Sequence, residues 1–64
     1  KNNIKYLRKQ LNLRQEDLAN KLGVTRQTIN AIENDKYNPT LELAMKLAKL
    51  FNTSVEGIFQ LDDE

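Results

Sequence analysis

Residues 15–33, which read QEDLANKLGVTRQTINAIE, constrain the fold of this chain more than any other stretch. They hold two short helical patterns separated by a glycine. Three apolar residues of the first pattern share one helix face, namely Leu18, Ala19 and Leu22. Gly23 can take the left-handed backbone conformation that ends a helix, and Thr25 is a favoured N-cap for the next helix. The stretch therefore predicts two helices joined by a tight turn.

The second of these helices has an unusual polar surface. Its apolar positions are Ile29 and Ile32, and its other faces carry polar side chains, among them Arg26, Gln27 and Asn30. A purely structural surface helix carries mostly Glu and Lys. Arginine instead bonds guanine edges, and Gln or Asn bonds adenine edges. A helix pair with a short glycine turn and such a second helix is the helix-turn-helix arrangement, so we predict a DNA-reading element over about residues 15–34.

The composition excludes most enzyme classes. The 64 residues make one domain with one small core, and they include neither Cys nor His. Disulfides, thiolate metal sites and a histidine base are therefore excluded. The acid pairs Glu16-Asp17 and Asp62-Asp63 lie at a predicted helix start and in a tail, where the helix dipole and solvation account for them. We predict one non-enzymatic domain over residues 1–64, with no metal and no cofactor.

Charge and hydropathy bear on partners and location. The net charge is only +1, but residues 1–14 contain five basic and no acidic residues, whereas residues 37–64 contain two basic and five acidic residues. This asymmetry predicts one side that faces phosphate and one that faces away, with ordinary solvated surfaces as the alternative. The chain has no apolar run of membrane-spanning length and no signal-peptide pattern. We predict a cytoplasmic protein with no membrane partner, associated with the nucleoid when bound to DNA.

Helical patterns also flank the helix-turn-helix. Apolar residues at helical spacing predict helix 1 over about residues 3–11, and they are Ile4, Leu7 and Leu11. Thr40 is the predicted N-cap of helix 4, which has the broadest apolar face and ends near Asn52. The few residues before helix 1 and after Gln60 are either frayed or weakly paired.

A fifth helix is predicted from Ser54, which completes an all-α, compact five-helix fold. The segment over about residues 54–61 has more apolar side chains than so small a core needs, and it is therefore a candidate dimerisation face. The candidate interface residues are Val55, Ile58, Phe59 and Leu61. The alternative is that Ile58 and Phe59 close the core over helices 1 and 4, and we expect both uses in part.

Two further positions follow from charge and turn chemistry. Glu33 opposes the dipole at the end of helix 3, at roughly a few tenths of a kcal/mol unless a cation pairs with it. Arg8 of helix 1 is the predicted partner in this structural ion pair. The loop of residues 34–40 presents three side chains that are suited to holding phosphates: Lys36, Tyr37 and Asn38. A solvated loop with Tyr37 packed on its own surface is an equal alternative.

With these residues in view, the chain resembles the lambda-repressor-like helix-turn-helix domains of the Xre and Cro group over roughly residues 3–61. The resemblance rests on the joint spacing of Leu7-Arg8, Gln15-Glu16-Asp17-Leu18-Ala19, Leu22-Gly23-Val24-Thr25, Ile29, Ile32-Glu33 and Asn38-Pro39-Thr40. More narrowly, the chain is similar to small stand-alone members that dimerise through their C-terminal end.

The resemblance implies a role for several positions. Arg26 and Gln27 stand at the main base-reading places of the recognition helix. Asn30 and Ala31 lie one turn further on, where they can reach a base edge or a thymine methyl group. The positions that hold or flank phosphates are Gln15, Thr25 and Thr28.

The resemblance also includes one stabilising ion pair, and the sequence departs from the family pattern at one position. Arg8 and Glu33 match a buried ion pair of the family, in agreement with the charge argument. Arg14 replaces the small hydroxylic cap that usually precedes helix 2, so that end loses a side-chain acceptor worth about 1 kcal/mol. We predict that Arg14 contacts a phosphate instead.

Together these features predict a homodimeric, sequence-specific regulator of transcription that binds double-stranded DNA. In this interpretation it is a repressor, and helix 3 of each subunit enters the major groove of a palindromic operator. The alternative keeps the fold but makes the chain an antitoxin-like or partner-binding module, in which DNA binding serves autoregulation. Such a module would need a second protein partner and would be monomeric or aggregation-prone alone, whereas a plain regulator would be a stable dimer.

Overall fold

The computed structural model describes residues 1–61 and shows four α-helices among them. They are α1 (Ile4–Gln10), α2 (Gln15–Leu22), α3 (Arg26–Glu33) and α4 (Leu41–Leu50). The predicted all-α class is confirmed, and α2 and α3 form the predicted helix-turn-helix. The longest helix has ten residues, and no helix in the described part of the chain has the length and apolar character needed to cross a membrane. The predicted acidic tail lies outside the described residues.

The four helices end in one shared hydrogen-bonding pattern. In each, a backbone N–H bonds the carbonyl oxygen five residues earlier, and the pairs are Leu13 to Arg8 at 3.0 Å, Val24 to Ala19 at 3.0 Å, Lys36 to Ala31 at 2.9 Å and Thr53 to Ala48 at 2.9 Å. The residue before each donor has a positive φ, namely Asn12, Gly23, Asp35 and Asn52. Because Gly, Asn and Asp tolerate this conformation best, these residues determine where each short helix stops.

Among the helices of residues 1–61, α4 has the most buried residues, as its broad apolar face predicts. Thr40 caps it, since its Oγ1 accepts a hydrogen bond from the Leu43 N–H at 3.2 Å. The core around it is one cluster of ten buried residues, comprising Ile4, Leu18, Ala19, Leu22, Ile29, Ile32, Leu43, Leu47, Ala48 and Ile58. Leu11 was predicted as the last residue of helix 1, but α1 ends at Gln10 and Leu11 is 50% exposed.

The predicted fifth helix does not form. The segment from Ser54 makes a single turn, in which the Phe59 N–H bonds the Val55 carbonyl oxygen at 2.9 Å. Phe59 then pairs with Asn2 in an antiparallel bridge, which draws the backbone out of the helical path. A helix limited to one turn gains too few hydrogen bonds to offset its nucleation, so this bridge determines the local conformation.

Backbone pairing decides between the two predicted alternatives for the residues before helix 1, whereas most of those after Gln60 lie outside the described residues. The Asn3 N–H bonds the Ile58 carbonyl oxygen at 2.9 Å, and the Gln60 N–H bonds the Lys1 carbonyl oxygen at 3.0 Å. The Asn2 side-chain amide donates to the Ile32 carbonyl oxygen at 2.8 Å. The first residues therefore connect the C-terminal segment to the end of α3.

Candidate nucleic-acid interface

The N-terminal half of α3 presents directed polar groups to solvent. Thr25 caps this helix, and its Oγ1 accepts from the Thr28 N–H at 3.2 Å. The buried side of α3 consists of Ile29 and Ile32, which are 0% and 1% exposed. The outer side has no acidic residue in the first turn, and its exposed side chains are Arg26, Gln27 and Asn30, with Ala31 half-buried beside them. This surface can donate and accept hydrogen bonds without repelling an anion.

Side-chain amides connect the N-terminus of α2 to this surface by hydrogen bonds. Asn30 Nδ2 lies 3.4 Å from Gln15 Oε1, and Gln15 Nε2 donates to Glu33 Oε1 at 3.0 Å. The structure therefore brings together a predicted phosphate-contacting residue, Gln15, and a predicted base-reading residue, Asn30. Backbone N–H groups in the first turn of a helix have no intrahelical acceptor, so the start of α2 can also receive an anion.

A buried ion pair holds α3 against α1. Arg8 donates from Nε to Glu33 Oε2 at 2.7 Å and from the second guanidinium nitrogen to Glu33 Oε1 at 3.1 Å. Another guanidinium nitrogen donates to the Leu13 carbonyl oxygen at 3.0 Å. The two side chains are only 9% and 4% exposed. This two-pronged geometry fixes the position of α3 and satisfies the charge near its C-terminal end.

Arg14, the residue before α2, is exposed and paired with a carboxylate. Its Nε lies 3.1 Å from Asp17 Oδ2, and its backbone N–H donates to the same oxygen at 2.9 Å. Asp17 therefore supplies, from inside the first turn, part of the capping that an arginine side chain cannot provide. The guanidinium of Arg14, followed by its backbone N–H, lowers the pKa of Asp17 below its usual value of 3.8.

The change Asp17→Asn is expected to make the protein less stable at neutral pH but not in strong acid. Because the pKa of Asp17 is lower in the folded state than in the unfolded state, its contribution to stability is complete above pH ~4 and is lost as the pH falls through the folded value. Asparagine keeps an acceptor for the Arg14 N–H but has no charge. Urea denaturation over a pH series should show the stability gap between the wild type and the variant closing as the pH is lowered.

The matched control for this prediction is Glu16→Gln. Glu16 lies in the same first turn, but it makes none of the hydrogen bonds that join Arg14 to Asp17. Its substitution should therefore give a smaller pH-dependent gap. A gap for Asp17→Asn that stayed constant down to strong acid would contradict the assigned cause of the pKa shift.

The loop between α3 and α4 places its three predicted phosphate-contacting residues at the surface. Lys36 and Asn38 are exposed, and Tyr37 is 49% exposed. Half of the Tyr37 side chain packs on the protein, so its ring is neither fully solvated nor buried. The loop therefore offers a cation, a phenol and an amide immediately after α3, which is compatible with both predicted alternatives.

A second surface feature is an apolar groove between this loop, α4 and the C-terminal segment. The residues that line it include Pro39, Leu41, Val55, Phe59 and Leu61. Leu41 and Leu61 are 75% and 73% exposed. Three of the four predicted interface residues therefore lie in this groove.

Ile58, the fourth predicted interface residue, requires a correction. It is 0% exposed and belongs to the core cluster, so it offers no surface to a partner. Of the two uses predicted for it, only closing the core applies. The reason is the terminal bridge, which turns the segment so that Ile58 points inward.

Some residues that shape this surface were missed by sequence reasoning. Asp17 holds Arg14, and the signal for this contact is the three-residue spacing of opposite charges at a helix start. Leu41 lies in the groove, and its signal is an apolar residue in the first turn of α4 that falls outside the buried stripe. Asn2 bonds a carbonyl oxygen at the end of α3 across 30 residues of sequence, and no local pattern predicts such a contact.

The fold and the polar surface define a helix-turn-helix domain. A family model described as helix-turn-helix matches residues 4–58 of the chain. The chain belongs to this family, which confirms the family-level resemblance seen in the sequence.

Similar proteins match most or all of the chain. An uncharacterized HTH-type transcriptional regulator of Methanocaldococcus jannaschii is 58% identical over 64 residues, which cover 100% of this chain and 97% of the relative. The uncharacterized HTH-type transcriptional regulator YgzD of Bacillus subtilis is 45% identical over 64 residues, with the same coverage of 100% and 97%. The cryptic phage CTXphi transcriptional repressor RstR of Vibrio cholerae is 38% identical over 52 residues, which cover 81% of this chain and 47% of the repressor. The family and these relatives are those of transcriptional regulators with a DNA-binding domain, not of enzymes.

Proposed function

We propose that this protein is a sequence-specific, DNA-binding regulator of transcription that inserts α3 into the major groove. The observation that carries this proposal is the outer surface of α3, where hydrogen-bonding side chains lie beside the N-terminus of α2. Base edges would be contacted by Arg26, Gln27, Asn30 and Ala31. Phosphates would be contacted by Arg14, Gln15, Thr25, Thr28, Lys36, Tyr37 and Asn38. With DNA as its target, the protein would act in the cytoplasm, bound to the nucleoid.

We further propose that it acts as a repressor and binds as a homodimer. A small DNA-binding domain that occupies promoter DNA can exclude polymerase by its position alone, and the similar protein of Vibrio cholerae is named a repressor. Two copies related by a two-fold axis would place two α3 helices about 34 Å apart on a palindromic operator. The apolar groove beside α4 is the proposed contact between the copies, because Leu41 and Leu61 are otherwise exposed to water.

The change Leu41→Glu is expected to weaken the dimer by more than about tenfold. The substitution would place a charge in the groove, while Glu in the first turn of α4 is favourable for the helix dipole. Sedimentation equilibrium at several concentrations measures the dimer dissociation constant. The matched control is Leu11→Glu, because Leu11 is also exposed but does not line the groove. Equal weakening by both changes would mean that the groove is not the dimer contact.

Selection of binding sites from random duplex DNA tests the proposed function directly. At about 0.15 M salt the non-specific phosphate contribution is weak, so enrichment reports base reading. The expected result is a palindrome with half-site centres about 10 base pairs apart. Absence of any enriched sequence would contradict the proposed function.

The exposed groove also gives the partner-binding alternative a physical basis. If the protein is monomeric and enriches only a single half-site, the groove would serve a second protein, and the antitoxin-like role would replace the homodimeric one. If the protein is a stable dimer with a palindromic site, this alternative is excluded.

A further inference from the structure

A chain of four polar side chains runs from the buried ion pair to the DNA-facing surface. Arg8 donates two hydrogen bonds to Glu33, at 2.7 and 3.1 Å. Glu33 Oε1 also accepts from Gln15 Nε2 at 3.0 Å, and Gln15 Oε1 faces Asn30 Nδ2 at 3.4 Å. The first two side chains are almost fully buried, whereas Asn30 is exposed. The chain therefore connects a rigid interior group to a residue proposed to touch a base.

The hydrogen-bonding chemistry gives this chain one direction. A carboxylate paired with a guanidinium can only accept hydrogen bonds. Gln15 must therefore turn its NH₂ group toward Glu33, and its carbonyl oxygen faces the other way, toward Asn30. Because that oxygen can only accept, Asn30 must present its own NH₂ group to it. The buried carboxylate thus determines the orientation of two side-chain amides that could otherwise flip.

The orientation of Asn30 has a consequence for base reading. With one N–H directed to Gln15, Asn30 keeps its carbonyl oxygen and one further N–H for a ligand. No hydrogen bond to that side-chain oxygen occurs within residues 1–61 of the structure. In the major groove, adenine and cytosine present an amino donor, whereas guanine and thymine present acceptors at the equivalent positions. A carbonyl oxygen held toward the base bonds the amino group of the first two bases but would face an acceptor on the other two. Adenine can in addition accept the remaining N–H at its N7, so the held amide favours adenine and cytosine.

We propose that Gln15, oriented by Glu33, is a positioning residue that holds Asn30 with its carbonyl oxygen toward the base. Asn30 then selects adenine or cytosine over guanine or thymine on the strand it contacts. This inference rests on the proposed DNA-binding function and adds a specificity-determining pair to it. It gives Gln15 a role in selectivity in addition to its proposed phosphate contact.

The test compares the wild type with Gln15→Lys on the selected operator. A lysine at this position can still donate to Glu33 and to a phosphate, but it has no acceptor for Asn30. The operator position read by Asn30 is the one at which Asn30→Ala loses discrimination. Dissociation constants are then measured with each of the four bases at that position, and with a base that lacks the amino group. Thermal unfolding of each variant verifies that the fold is intact.

The expected result for the wild type is a preference for adenine or cytosine that disappears when the amino group is deleted. For Gln15→Lys this preference should fall on the order of tenfold. A loss of folding or of phosphate contact would lower all affinities together and would not change the ratio between bases.

Three results would overturn the inference. A wild-type preference for guanine or thymine would mean that Asn30 presents a donor. An unchanged base ratio in Gln15→Lys would mean that Gln15 does not position Asn30. If an operator is enriched but none of its positions depends on Asn30, the inference alone is overturned. If no operator is enriched at all, the proposed function is overturned as well.

Discussion

Replacing Glu33 by Ala is expected to destabilise the folded protein by about 3–5 kcal/mol. The change leaves the guanidinium of Arg8, whose side chain is 9% exposed, without its carboxylate. Among residues 1–61, the Leu13 carbonyl oxygen is then its one remaining hydrogen-bond partner. A domain of this size has a total stability of only about 3–5 kcal/mol, so much of the variant should be unfolded at room temperature. Urea denaturation followed by circular dichroism measures the loss.

Two further variants make this result specific. Glu42→Ala also removes an acid in an ion pair, with Lys46 at 3.3 Å, but Glu42 is 79% exposed. Its expected effect is no more than about 0.5 kcal/mol. The double change Arg8→Met with Glu33→Leu removes both charges and should recover much of the loss, since an apolar pair can replace a buried ion pair. A loss for Glu33→Ala as small as that for Glu42→Ala would show that the Arg8–Glu33 pair contributes little.

Replacing Arg26 by Ala is expected to weaken binding to the selected operator by about 1–3 kcal/mol. Arg26 is exposed at the first position of α3, where a guanidinium can bond two acceptors on one guanine edge. Because only matching sequences offer that pair of acceptors, binding to random DNA should change much less. Competition titrations with the operator and with single-base variants of it measure both affinity and selectivity.

Arg14→Ala is the matched control for Arg26→Ala. Both changes remove one arginine from the proposed interface, but Arg14 precedes α2 and is assigned to a phosphate. Its loss should weaken binding about equally on all sequences. It should also reduce the slope of the logarithm of the binding constant against the logarithm of the salt concentration by about 1. If Arg26→Ala behaved in this uniform manner, Arg26 would be a phosphate contact and the proposed base reading would be wrong.

The sequence predicts the helix-turn-helix well because local chemistry determines it. Both helices lie within the predicted residues 15–34. Gly23 ends α2 with a φ of 73°, and Thr25 caps α3 through a hydrogen bond of 3.2 Å, as predicted. Helix ends of this kind depend on one or two residues and their immediate neighbours. The Arg8–Glu33 contact was also predictable, since an acid at a helix C-terminus needs a cation. The DNA contacts assigned to individual residues stay predictions.

The C-terminal segment shows where local reasoning fails. Ser54 and the apolar residues after it have a helical pattern, yet the segment forms a single turn. The competing interaction is the bridge between Asn2 and Phe59, which joins residues at opposite ends of the sequence. That bridge also turns Ile58 into the core, so one predicted interface residue became a packing residue.

By itself, therefore, the sequence determined the all-α class, the helix-turn-helix and the kind of side chains on its outer surface. These properties depend on periodicity, capping and composition, which act over a few residues. Only the tertiary structure decided how the termini pair, which apolar residues remain exposed, and which way the amides of Gln15 and Asn30 face. The physical reason is that each of these depends on a partner distant in sequence: a paired backbone, a covered surface or a buried carboxylate.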